Sequence, residues 1–234
     1  MPRIVSNPFT ILMLILLFVV ILLIFPLLLL GIIGTAFVKL GFTWFEVLLI
    51  LLLTLIGSFI NIPISTVTSE TPAIYQYYSP FFGRIYQIPA PSQTTTISIN
   101  FGGALIPLSI SLYLIYSTAI ATGDLGLLPL ILIGIVAITL LTKVVARPVR
   151  GLGIVTPFFI PPLGAALVGI LLNGGFGVNA AVIAYVSGTF GTLIGADLLN
   201  LHRIRELGAP MVSIGGAGTF DGIFLTGVIA AFIA

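Results

Sequence analysis

Cysteine is absent from the 234 residues, and histidine occurs once. Disulfides, thiolate metal sites and cysteine nucleophiles are therefore excluded, and a histidine metal centre lacks its ligands. Charge is nearly as scarce. Charged residues make up 6% of the chain, against about 25% in a soluble domain. Eight Lys and Arg against six Asp and Glu leave a net charge of +2, which provides no basic surface for a nucleic acid. No phosphate loop, dinucleotide fingerprint or zincin motif occurs, so no cofactor and no metal are expected. Apolar residues are abundant instead, at 59%, with a mean hydropathy of +1.31. Such a chain cannot wet the surface of a globule. It reads as one all-α integral membrane domain over 1–234, a transmembrane helix bundle whose main partner is the lipid bilayer.

A spanning helix needs about 20 mostly apolar residues. Seven stretches qualify. The first runs from Phe9 to Val38 without a charge; it exceeds the apolar core of a signal peptide and is expected to be retained, tilted or kinked at Pro26. The others run from about Trp44 to Ile62, Ile97 to Ala121, Leu125 to Leu141, Ile154 to Leu172, Val178 to Leu198, and somewhere within Met211–Ala234. Pro157, Pro161 and Pro162 break the fifth, and the glycines after Ser213 make the start of the seventh a poor helix former. With the N-terminus inside, the inner segments hold Arg3, Arg84, Lys143, Arg147, Arg150, Arg203 and Arg205, and the outer ones only Lys39. That positive-inside bias supports seven spans in the cell membrane.

The long inner segment 63–96 is rich in proline, tyrosine and phenylalanine, which suits the membrane interface. Thr71-Pro72 reads as the start of a short interfacial helix. Arg84–Ile88 and Thr94–Ile99 flank Pro89-Ala-Pro-Ser92 and are expected to pair as a small hairpin.

The informative residues are those a bilayer penalises. A carboxylate at mid-helix costs roughly 2.5–3.5 kcal/mol on insertion scales. Asp197 and Asp221 fall in the sixth and seventh stretches, on consecutive antiparallel helices. Two carboxyls brought face to face do not ionise independently, and the pair becomes a general acid beside a general base. This chemistry activates water against an amide without a metal. Other readings stand beside it. Asp197 can sit at the headgroups and pair with Arg203 or Arg205. Asp221 can serve as the N-cap of a helix beginning at Gly222. Depth also matters. A helix starting at Met211 places Asp221 about 15 Å deep at 1.5 Å per residue, well below Asp197. The two meet only if 211–218 is unwound or lies along the interface.

Glycine pairs open two of the stretches, at Ser98-Ile-Asn-Phe-Gly-Gly-Ala104 and Ser213-Ile-Gly-Gly-Ala217. They suit either tight helix packing or unwound entries that bind a ligand through their backbone. On the second reading Asn100, Gly102, Gly103, Gly215, Gly216 and Gly218 line a substrate site. Ser187, Gly188, Gly191 and Gly195 suit a closely packed partner helix.

The stretch Gly215-Gly-Ala-Gly-Thr-Phe-Asp-Gly-Ile-Phe224 resembles the glycine-x-glycine-aspartate helix of presenilin-like and signal-peptide-peptidase-like intramembrane proteases. The resemblance implies that Asp197 and Asp221 are the catalytic pair and that a membrane peptide is the substrate. Phe220 and Ala196 stand where that family has glycine and tyrosine. Over Ser98–Pro107, Gly191–Leu199 and Gly215–Leu225 the chain also resembles an uncharacterised prokaryotic family of multi-pass membrane proteins, which implies no activity. Beside the hydrolase stand two alternatives: a proton- or cation-coupled transporter or channel using one of the aspartates, and a structural subunit without catalysis.

Overall fold

The computed structural model describes residues 8–68, 74–78, 85–89, 94–149, 153–206, 209, 211–216 and 221–234. Each of the seven apolar stretches carries a helix: α1 (Pro8–Lys39), α2 (Trp44–Gly57), α3 (Phe101–Ile120), α4 (Leu127–Val145), α5 (Ile160–Asn173), α6 (Val178–Ile204) and α7 (Gly222–Ile233). Among the described residues α3, α4 and α6, with 20, 19 and 27 residues, are long and apolar enough to cross a bilayer. The helices α2, α5 and α7 have 14, 14 and 12 residues. At about 1.5 Å per residue each is shorter than the hydrocarbon core of about 30 Å. The helix α1 runs through Pro26.

Helices dominate, so the all-α class stands, but three small sheets are added among the described residues. Strands β1 (Asn61–Thr68), β4 (Thr94–Asn100) and β7 (Met211–Ile214) form a sheet in the order β1-β4-β7. Strands β2 (Ile74–Tyr78) and β3 (Ile85–Pro89) pair as a hairpin, as do β5 (Arg147–Val149) and β6 (Gly153–Val155). This corrects the expected pairing inside 63–96. Ile85–Pro89 pairs with Ile74–Tyr78, and Thr94–Asn100 pairs with Asn61–Thr68. The reason is that β4 is the middle strand of its sheet, with β1 on one edge and β7 on the other, which leaves no edge for β3. The short helix expected at Thr71-Pro72 lies outside the described residues. The ends of three expected spans are also corrected, since Asn61–Ile62, Ile97–Asn100 and Ile154–Val155 are strand. The seventh stretch, whose start the sequence leaves open, begins with strand at Met211–Ile214. Pro161 and Pro162 fall in the first turn of α5, where a missing N–H is harmless, and do not interrupt a helix.

The sheet is built from β-branched residues. Pro63 is tolerated because β1 is an edge strand, and the β1–β4 register shifts beside it, between Pro63 and Ser65. Strand β4 pairs parallel with β7, Ile99 opposite Ile214. Both strands therefore leave the sheet at one level, β4 into α3 and β7 into a glycine turn. Open strand edges are not tolerated in hydrocarbon, so this sheet belongs at the bilayer surface or against protein.

The core is centred on α6, which packs against α3, α4, α5 and α7. Residues Ala180 to Ser187 are fully buried. Small residues permit this. A Cβ on Gly188 would lie 3.1 Å from Thr226 and 3.2 Å from Ala165; one on Gly191 would lie 2.5 Å from Ile138. Gly195 has the tightest contact, with the Thr142 hydroxyl and the Thr139 carbonyl where its Cβ would be. Without water to drive association in the bilayer, such close backbone approach is a main source of helix affinity. Gly195→Val is expected to destabilise the protein by about 1–3 kcal/mol through overpacking, read as a lower thermal midpoint in detergent.

Above this core Phe37 of α1 packs among Phe42, Tyr185 and Phe224, with ring centroids 5.7, 6.0 and 6.1 Å away. That aromatic cluster fastens the end of α1 onto α6 and α7. The described residues of α1 before Gly31 are exposed apolar side chains, as expected of a surface solvated by lipid.

A candidate site at two carboxyls

Two backbone irregularities bring Asp197 and Asp221 to one place. Asp197 ends a π-helical turn, Leu193–Asp197, within α6. The side chain of Asn200 holds the carbonyls of Gly195 and Ala196 there, each at 3.0 Å. Turns of this kind recur at functional sites because they displace a side chain from the regular helical position. Asp221 stands at the N-cap of α7 with extended backbone, φ −63° and ψ 166°. Its carboxyl flanks the amides of Gly222 and Ile223, at the positive end of the helix dipole, without making a side-chain cap hydrogen bond.

The glycine turn after β7 joins the two. Gly215 and Gly216 have φ of +80° and +74°, a region that only glycine enters without cost. The Gly215 N–H donates to Asp197 Oδ2 at 3.2 Å. A Cβ on Gly216 would lie 2.5 Å from Asp221 Oδ1, so the absent side chain is what lets the carboxyl in. Residues 211–214 are strand and α7 starts only at Gly222, which removes the depth mismatch expected of a helix starting at Met211.

Asp197 and Asp221 line one cavity of about 200 Å³, together with Ile154, Ile204, Ser213 and Gly216. Both are half-buried. The cavity has room for several waters, which two carboxyls and the Ser213 hydroxyl can hold. Among the described residues the hydrogen-bond partner of Asp197 is Gly215, and no ion pair to Arg203 occurs, while the side chain of Arg205 lies outside the described residues. His202 is exposed.

The remaining glycines and Asn100 stand behind this wall. A Cβ on Gly102 would run into the Thr54 carbonyl of α2, and one on Gly103 would run into the Gly215 carbonyl and lie 3.1 Å from Asp221 Cβ. Asn100 caps the start of α3 through the Gly103 N–H at 2.7 Å, and donates to the Ser58 carbonyl at 2.8 Å and to Asn61 Oδ1 at 3.0 Å. The last expected glycine, Gly218, lies outside the described residues.

One contributor, Asn61, was missed in the sequence. Asn61 Oδ1 accepts from Ser213 Oγ at 2.6 Å as well as from Asn100. One side chain thus ties β1, β4 and β7 together two residues before Gly215. Its signal in the sequence is a lone amide after an apolar run, which reads equally well as a helix end. Asn61→Ala leaves the Ser213 hydroxyl and the Asn100 amide without this acceptor. It is expected to cost about 1–3 kcal/mol, measured as a lower thermal midpoint, and Asn61→Asp, which keeps the acceptor oxygen, is expected to recover part of it.

The family described as "Protein of unknown function (DUF1614)" matches residues 55–233. The chain belongs to that family. The match covers Asn61, Asp197, Asp221 and the glycine turn, so the DUF1614 segment carries the whole candidate site, while α1 and most of α2 precede it. No curated protein and no solved structure matches the chain.

Proposed function

We propose that this chain is a seven-span protein of the cell membrane, N-terminus inside, that hydrolyses peptide bonds of membrane peptides with Asp197 and Asp221. The supporting observation is that two carboxyls from separate elements open onto one cavity with room for water. One carboxylate takes a proton from a water, whose oxygen attacks the amide carbon. The other, protonated, donates to the carbonyl oxygen. Collapse of the tetrahedral intermediate returns a hydroxyl proton to the second carboxylate and breaks the C–N bond, and the amine leaves with the proton that the first carboxyl took from water. One water is consumed and no cofactor takes part. The Gly215 N–H fixes Asp197 during these steps, and Asn100, Asn61 and Ser213 position Gly215 from behind.

Access for an extended peptide is supported by β7. It is the outer strand of the sheet among the described residues, and its residues Met211 to Ile214 line the carboxyl cavity. An open edge beside the carboxyls can pair with an unwound segment through main-chain hydrogen bonds. Such pairing holds a scissile bond against the carboxyls independently of its sequence.

The test is purified protein in proteoliposomes, incubated with apolar membrane-spanning peptides and followed by mass spectrometry of the products. Cleavage that disappears in Asp197→Asn and in Asp221→Asn supports the hydrolase. Absence of cleavage, with a proton or cation flux that depends on either aspartate, replaces it with a transport reading.

A further inference from the structure

A second cavity, of about 290 Å³, adjoins the first. Ile154 and Asp221 line both, so the two spaces meet at one of the carboxyls. The walls of the second come from β6, the start of α5 and the first turns of α7. Val155, Phe158, Pro161 and Leu225 supply apolar surface, and Thr156, Asp221 and Thr226 supply polar groups. Gly222 leaves its floor open, since nothing lies within 4 Å of where its Cβ would be.

We infer that this second cavity receives one aromatic or branched apolar side chain of the substrate, next to the bond held at Asp197 and Asp221. The inference rests on the hydrolase reading and adds the substrate class. Three observations carry it. A cavity of about 150 Å³ already takes a benzene molecule, so this one, at about 290 Å³, has the volume for a leucine or phenylalanine side chain. Successive residues of an extended peptide are about 3.3 Å apart, so a peptide whose carbonyl meets the carboxyl pair has a neighbouring side chain within reach of a space that shares Asp221. Among the described residues the lining contains no Lys or Arg and does contain the Asp221 carboxyl, which disfavours an acidic side chain and leaves the surface of Val155, Phe158, Pro161 and Leu225 to an apolar one.

The test uses the full chain in proteoliposomes and membrane-spanning peptides that differ only at one position beside the cut, which carries Ala, Leu or Phe. Wild-type protein is expected to cut the Leu and Phe peptides about tenfold faster than the Ala peptide, the scale on which apolar pockets discriminate. Val155→Phe, at an exposed position, fills the pocket and should level or invert that order. Leu225→Ala enlarges it and should favour Phe over Leu. Cleavage that requires both aspartates but keeps the same Leu-to-Ala ratio in wild type and in both variants overturns the pocket and leaves the hydrolase standing. No aspartate-dependent cleavage of any peptide overturns both.

Discussion

Asp197→Asn and Asp221→Asn are each expected to lower peptide cleavage by about 10²–10⁴-fold, the range that a positioned general acid or base contributes. Asn keeps the shape of the carboxyl and removes its ability to exchange a proton at that site. The fold should survive both changes. Asp221 makes no side-chain cap bond that its replacement would break, and an amide oxygen at residue 197 still accepts from the Gly215 N–H. Asn at either position also avoids placing a charge beside apolar surface, so the thermal midpoint in detergent should hold or rise while activity falls. That divergence separates catalysis from structure. A variant losing activity and stability in parallel would mark the carboxyl as a structural group. The double variant should be no worse than the poorer single one, because residues acting as a unit are not additive.

Gly215→Val is expected to cost about 2–5 kcal/mol. Its φ of +80° adds about 1–2 kcal/mol for a side-chain-bearing residue. Overpacking adds about 1–3 kcal/mol, because a Cβ would lie 2.6 Å from Ala104 Cβ and 2.7 Å from Ala104 N. The effect on the site should exceed the effect on the global fold. The same residue donates to Asp197, and its carbonyl lies against Gly103, so any shift reaches both Asp197 and the start of α3. Gly31→Ala, where nothing lies within 4 Å of the new Cβ, is the control and should leave the thermal midpoint nearly unchanged. Hydrogen exchange read by mass spectrometry locates the damage, with faster exchange expected in β7 and the first turn of α3 before the rest of the bundle.

The parts of this site that were legible in the sequence are those a bilayer makes costly. Asp197 and Asp221 stand out because carboxyls in apolar stretches need a reason to be there. The small residues of α6 announced a tightly packed helix, and their Cβ positions are indeed filled by α4, α5 and α7. The sheet was not legible in the same way. Ile97–Asn100 belongs to an apolar run that continues directly into α3, and hydropathy does not mark where strand ends and helix begins. The partner of β4 on its other side is β7, reached only after four helices, and no local pattern reports a parallel pairing at that separation. Asn61 was hidden for a related reason. Its role depends on Ser213 and Asn100, which come from two other strands of the same sheet. The placement of Asp221 lay between two expectations, since it occupies the N-cap position and also lines the cavity. Only the glycine turn, with its two positive φ angles, makes both possible at once.

The most direct measurement uses the absence of cysteine. Asp197 and Asp221 are replaced together by Cys, in a chain with no other thiol. The protein is then treated in native membranes with an oxidant and, separately, with a short bis-thiol reagent. A direct disulfide needs Cβ atoms about 3.5–4.5 Å apart, and the reagent extends that reach. Efficient linking by at least one route is the expected result, because both side chains line one cavity. No linking by either route, with both thiols shown to react with a small alkylating agent, would contradict the shared site.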